Sequence, residues 1–356
     1  MPSNKLSLRF HFLDIFLVFV PISILLYYIH ANAVLTFFIT GAAIIALSHV
    51  IIESTGVITQ RVTTTVAALL NATFGNAIEF FIAIFSLRQG LVDLVKFSMV
   101  GSIIINVLFL IGLAMFSGGL KYKEQRFNKS SAGVSSTMLI IVVVGLVLPS
   151  AYNIVQGSSI PAMSIAVSVV LGIVYLLSLL YTFVTHKHLF IVEREAPSST
   201  ERYRQTIFTS VITLIIAIGL GSFESYILVN SVTPLISAIG LTQRFTGVVL
   251  IAILTNIPEH VSAVRFARRN NMTMSLEIGM SSALQIALFV IPVLVLISTP
   301  LTGMTLDLVF GPFSLIALVM TAMIANYISA DGICHWLEGA QLVAVYVLIA
   351  IAFYFI

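Results

Sequence analysis

Asn71-Ala72-Thr73-Phe74-Gly75-Asn76-Ala77-Ile78-Glu79 lies in the middle of an apolar stretch that covers residues 62–87. A carboxylate at the centre of a bilayer costs roughly 2.5–3.5 kcal/mol on insertion scales, so such a group faces a bundle interior and marks a function. A second stretch of the same kind, Thr255-Asn256-Ile257-Pro258-Glu259-His260, interrupts the apolar run 242–265. In both, an asparagine stands three residues before the glutamate, which puts the two side chains on one helix face. A neighbouring apolar run follows each motif and brings neutral oxygens, with Ser102 and Asn106 after the first and Ser282 and Gln285 after the second. Glu79 to Asn106 is 27 residues and Glu259 to Gln285 is 26. The chain reads as two copies of one plan.

The surroundings of these motifs set the solvent. Of 356 residues, 59% are hydrophobic and 9% charged, against about 25% charged in soluble domains. Such a chain cannot cover itself with a water-compatible surface. The apolar runs are continuous rather than alternating, which fits helices and not a lipid-embedded barrel. Polar breaks divide them into eleven spans, near 12–30, 33–53, 62–87, 91–117, 132–150, 159–184, 205–230, 242–265, 273–298, 308–328 and 336–355. With the N-terminus cytoplasmic, fourteen of the 17 Lys and Arg residues fall on the cytoplasmic side. Only Arg88, Lys96 and Arg244 fall opposite. The positive-inside rule therefore predicts a multi-pass protein with its N-terminus inside and its C-terminus on the other side.

The first span resembles a secretory leader, with Lys5 and Arg9 before it and Ala31-Asn32-Ala33 after it. Its apolar part, Phe12–Ile29, exceeds the usual 7–15 residues of a leader, so it is read as a retained helix. The remaining ten spans split into five and five. The predicted fold is all-α: an extra helix in 1–31, a first repeat in 32–184, a cytoplasmic connection in 185–204 and a second repeat in 205–356. An odd number of helices per repeat inverts one copy relative to the other, the arrangement by which many secondary transporters place one site at the midplane. The helices starting near 33 and 205 are then the expected moving gate.

Glycine at 75 and proline at 258 are expected to break their helices and free carbonyl oxygens beside Glu79 and Glu259. Two broken helices would offer carboxylates, the amides of Asn76 and Asn256, and backbone oxygens, with Ser102, Asn106, Ser282 and Gln285 alongside. Hard cations such as Ca²⁺ take six to eight oxygens at about 2.3–2.6 Å. Glu53, Glu224 and His260 are secondary candidates along the pathway. With an ion bound, both glutamates are ionised. When it leaves, two like charges in a water-poor site are neutralised by protons instead, and the pair titrates as a unit. No cofactor is expected, with Ca²⁺ entering only as cargo.

A single cysteine, Cys334, leaves no intrachain disulfide framework. The net charge of +3 is too small and scattered to suggest nucleic acid. The lipid bilayer is the expected surrounding, and self-association into a homo-oligomer is left open.

Leu69 to Glu79, Asn256 to Ala267, Gln285-Ile-Ala-Leu-Phe289-Val and Asp331-Gly…Trp336-Leu-Glu-Gly339 together resemble the cation/proton exchangers, the Ca²⁺/H⁺ antiporters of the calcium/cation antiporter group. The resemblance runs from about Glu53 to the C-terminus. It implies that Glu79 and Glu259 are the exchange carboxylates and that Asn76, Asn256, Ser102, Asn106, Ser282 and Gln285 line the path. It also matches Glu53 to a family glutamate. Thr255 stands where the family usually has glycine, Pro258 where it often has alanine, and Tyr226 where relatives carry a glutamate, with Glu224 two residues earlier. The nearest alternative is a Na⁺/Ca²⁺ exchanger of the same fold. Such relatives tend to carry an extra carboxylate where this chain has Asn106 and Gln285. A cation channel fits less well, because one central acid pair does not make the several weak sites that conduction wants.

Overall fold

A computed structural model describes residues 12–158, 160–186 and 207–356. Lys5 and Arg9, and most of the expected 185–204 connection, lie outside these residues. Among the described residues the chain is nearly all helix. In order run α1 (Phe12–Tyr28), α2 (Ala33–Thr59), α3 (Thr64–Phe74), α4 (Ala77–Arg88), α5 (Val92–Gly119), α6 (Lys129–Gln156) and α7 (Pro161–Thr185). There follow α8 (Ile207–Ile239), α9 (Gln243–Ala267), α10 (Met272–Thr302), α11 (Pro312–Ile328) and α12 (Trp336–Phe355). Eight of them, α2 and α5–α10 with α12, are long and apolar enough to cross a membrane. The shorter α1 and α11 are also apolar.

Two departures from the expected spans have physical causes. The 62–87 span is divided at Gly75 and Asn76, where the backbone leaves helical geometry at Asn76 (φ −116°, ψ 30°). The 308–328 span begins only at Pro312. Residues 304–311 form neither helix nor strand, and they bury Leu306, Leu308 and Phe310. Backbone polar groups in a water-poor setting need partners, and three helices supply them. Ser298, Ser164 and Ser150 accept from the amides of Leu306, Leu308 and Phe310 at 2.8, 3.0 and 2.9 Å. The segment is further held by Lys96, which pairs with Asp307 and donates to the carbonyl of Val309.

A minor non-helical feature closes one end. Gln125 and Arg126 (β1) pair antiparallel with Ile333 and Cys334 (β2). The Gln125 side chain donates to Ala267 O at 2.8 Å, satisfying a carbonyl at the end of α9. At α12, Glu338 accepts from the His335 amide at 2.8 Å, so this acid caps a helix rather than facing the interior.

The apolar side chains form two separate cores. One joins α2 and α8 along their length, with Val20 of α1, Ile78 and Ile82 of α4 and Ile251 of α9. The other gathers α5, α6, α7, α10, α11 and α12 with the remaining faces of α4 and α9. Only small residues allow the helices of the second core to approach as they do. A Cβ on Gly101 of α5 would stand 2.4 Å from Val248 O, and one on Gly279 of α10 would stand 2.7 Å from Asn106 O. The two segments that bear the glutamates, α4 and α9, contribute to both cores, as α5 does through Leu94.

Candidate functional site

The interruption between α3 and α4 decides how Glu79 is held. α3 closes with the Gly75 amide on Asn71 O at 2.9 Å, and α4 opens with the Phe80 amide on Asn76 O at 3.1 Å. Glu79 therefore occupies the first turn of α4. The first amides of a helix have no partner within it and favour a negative group. Its own backbone amide and the Thr255 hydroxyl of α9 reach the carboxylate. The side chain is only 4% exposed.

Glu259 is held differently, and one expectation is corrected here. α9 runs unbroken through Pro258, from Ala252 to Ala267. The proline removes one donor, yet packed membrane helices tolerate that loss when neighbours fix the backbone. The irregularity lies earlier instead, as a π-helical turn at Thr246–Ile251. Similar turns occur at Ile105–Leu110 in α5 and Ile286–Val290 in α10. They begin beside Asn106 and Gln285. Such bulges are frequent at functional sites because they re-aim neighbouring side chains.

The neutral residues form two sets of bonds between the halves of the chain. Asn76 Nδ2 donates to Gln285 Oε1 at 2.7 Å. Asn106 Nδ2 lies 2.8 Å from Asn256 Oδ1 and 2.9 Å from Ser282 Oγ. Asn256 Nδ2 reaches Ala252 O at 2.9 Å, Thr255 Oγ1 at 3.1 Å and Ser102 Oγ at 3.4 Å. Each of these bonds between side chains of different helices links a residue of the first half to one of the second. Glu79 and Glu259 stand within electrostatic reach of one another.

The unmade bonds are as informative. Glu79 Oε1, Glu259 Oε2 and Asn106 Oδ1 are buried without a hydrogen-bond partner. Unpaired buried polar atoms are rare and costly. All three are oxygen acceptors, and a hard cation or a proton satisfies such atoms. Among the described residues no group of three or more His, Cys, Asp and Glu side chains gathers. A cation here must complete its shell with neutral oxygens.

Other candidates sit elsewhere. Glu53 is exposed near the end of α2. Glu224 is fully buried in α8, accepting from Ser23 of α1 at 2.7 Å, so it joins the extra helix rather than the central network. His260 turns its Nδ1 to Asn256 O at 2.5 Å and its ring to Phe109. Gly75 is required by its own chain, since a Cβ there would stand 2.5 Å from Asn71 O. Thr255 belongs to the site and was not among the expected residues. Its adjacency to Asn256 was the available signal.

The profile of the sodium/calcium exchanger protein family matches residues 32–184 and again 209–355. The chain belongs to that family. Among its members, a Ca²⁺/H⁺ antiporter of Aphanothece halophytica is 40% identical, with 95% of each chain covered. The Ca²⁺/H⁺ antiporter ChaA of Bacillus subtilis is 34% identical, covering 94% of this chain and 96% of its own. The solved structure of native YfkE superposes with a TM-score of 0.83 at 32% identity, covering 97% of this chain and all of that one. A crystal structure of an H⁺/Ca²⁺ exchanger shares the exchanger-family fold, with a TM-score of 0.71 at 16% identity.

Proposed function

We propose that this chain is a secondary transporter that exchanges Ca²⁺ for H⁺ by alternating access, with Glu79 and Glu259 holding one calcium ion or protons in turn. The observation that carries the reading is a pair of acids on α4 and α9, segments of different halves packed into the same two cores, each with a buried oxygen lacking a donor. The antiporters named above support the same ions. Among the described oxygens, Asn106, Asn256, Ser102, Ser282, Gln285 and Thr255 are placed to complete the shell of a bound ion or to orient the acids.

Two inverted five-helix repeats after an extra first helix, eleven spans in all, account for the two family matches and for the interleaved network. With the N-terminus cytoplasmic, Arg61, Lys121, Lys123, Arg126, Lys129, Arg265, Arg268 and Arg269 share one membrane face. The separate core of α1, α2 and α8 is the natural moving body, sliding against the larger core at α4 and α9. Only the neutralised forms, with calcium or with protons, cross between the two access states. That restriction makes the process an exchange and not a leak. The protein carries out transport and no bond-making chemistry, and it needs no cofactor.

Sodium coupling is the reading to separate. Several Na⁺ ions beside the two acids would want further negative charge, and Asn106 and Gln285 are neutral. Calcium uptake into proteoliposomes is therefore expected to follow an imposed pH gradient and to ignore a Na⁺ gradient at fixed pH. Uptake driven by Na⁺ with both compartments at one pH would replace this reading with Na⁺/Ca²⁺ exchange.

A further inference from the structure

α1 lies before the first family match, which begins at residue 32, so neither half of the chain accounts for how it is held. It packs on α2 and α8, with Phe19, Val20 and Ile24 against the core those two helices share. Its other face, including Ile15, Val18, Ile22 and Leu25, is exposed. Between helices in lipid, apolar surface supplies no hydrophobic drive, and close packing and interhelical hydrogen bonds decide what stays together. Ser23 is the one buried polar side chain of α1, and Glu224 of α8 is equally enclosed. Ser23 Oγ donates to Glu224 Oε1 at 2.7 Å. One turn further along α1, Tyr27 meets Tyr226 of α8, with ring centroids 6.0 Å apart.

Glu224 is out of place as a member of an ion path. It has no exposed surface, its hydrogen bond goes to α1, and its second oxygen has no partner. A buried carboxyl group left half-paired is costly, so the bond it does make calls for a use. We propose that Glu224 is a positioning residue: its bond to Ser23 ties α1 to α8, so that the extra helix travels with the α2–α8 body as that body moves against α4 and α9. This rests on the exchange reading above and adds to it the part played by α1. The bond acts on the movement and not on the ion, because α1 contributes no residue to the polar contacts that join the two halves around the acids.

The test is calcium-dependent proton flux in proteoliposomes, read as maximal rate and half-saturating calcium for each variant. Glu224→Leu removes the bond, while Ser23 keeps Val20 O, 2.8 Å away within α1, as a partner. It is expected to lower the maximal rate about three- to fifteenfold, the factor that one interhelical hydrogen bond is worth in a membrane. Half-saturating calcium should stay within about twofold, since the bond is not made to the ion. Glu224→Gln offers Ser23 the same oxygen and should run near the parental rate, unlike the same change at either exchange acid. A second arm leaves Glu224 intact. Tyr27→Cys with Tyr226→Cys, joined by a short thiol-reactive cross-linker, fixes α1 to α8, and exchange is expected to persist after joining. The same link in a Glu224→Leu background should restore the lost rate. A Glu224→Leu protein at the parental rate, a Glu224→Gln protein as slow as Glu224→Leu, or exchange that stops on cross-linking would each overturn the proposal. A parent that moves no protons with calcium would instead overturn the exchange reading.

Discussion

Glu79→Gln and Glu259→Gln are each expected to abolish calcium-driven proton movement while leaving a folded, inserted protein. Glutamine keeps the volume and an oxygen, so packing at the shared faces of α4 and α9 is preserved. What is lost is one of two charges facing a divalent ion. Unit charges about 4 Å apart interact by about 4 kcal/mol at an effective dielectric constant near 20. Since each ~1.4 kcal/mol is a factor of ten, exchange should fall by roughly a hundredfold or more. Each substitution also removes the group that takes a proton when calcium departs. Stopped proton flux with an unchanged melting temperature in detergent is the expected pair of readings. Robust exchange in either single variant would contradict the shared site.

The second large effect is structural and reaches the site through the backbone. Gly101→Ala would bring a methyl group 2.4 Å from Val248 O, and Gly279→Ala would bring one 2.7 Å from Asn106 O. The obstacle in both cases is the backbone of a packed helix, which cannot rotate away as a side chain can. Overpacking of this kind costs about 1–3 kcal/mol, and more where nothing yields. Both variants should melt well below the parent. Gly279→Ala should also lose exchange out of proportion to its stability, because it displaces the residue that joins Asn256 to Ser282. Gly219→Ala, in α8 with nothing within 4 Å of the added atom, is the control and should leave both melting and flux near the parent's.

The helices were legible because lipid selects long apolar runs, and nothing in this sequence hides them. The interruption before Glu79 was legible too, since a Gly-Asn pair in an apolar run has few other uses. Pro258 misled, because the same residue that ends a helix in water is carried through a packed membrane helix. The π-helical turns near Asn106 and Gln285 left no mark, as their residues are ordinary apolar ones. The last part of the strap, 308–311, was read as helix for a related reason. Its amides are satisfied by Ser150, Ser164 and Ser298, and each of these looks in sequence like a stray polar residue in an apolar helix. The network of asparagines, serines and Gln285 could be collected from the two motifs. Which of them touch could not, because every such contact joins residues more than 140 positions apart. Thr255 was read only as a substitution for glycine, and its hydroxyl matters because Glu79 of the other half lies against it.

The central claim is that one cation is held jointly by Glu79 and Glu259. The most direct measurement is the anomalous signal of calcium in crystals of the protein grown at saturating Ca²⁺. The account predicts a single strong peak with oxygens of both carboxylates at about 2.3–2.6 Å, missing from crystals of Glu79→Gln grown in the same way. Two peaks, each on one acid alone, or a single peak away from both, would contradict it.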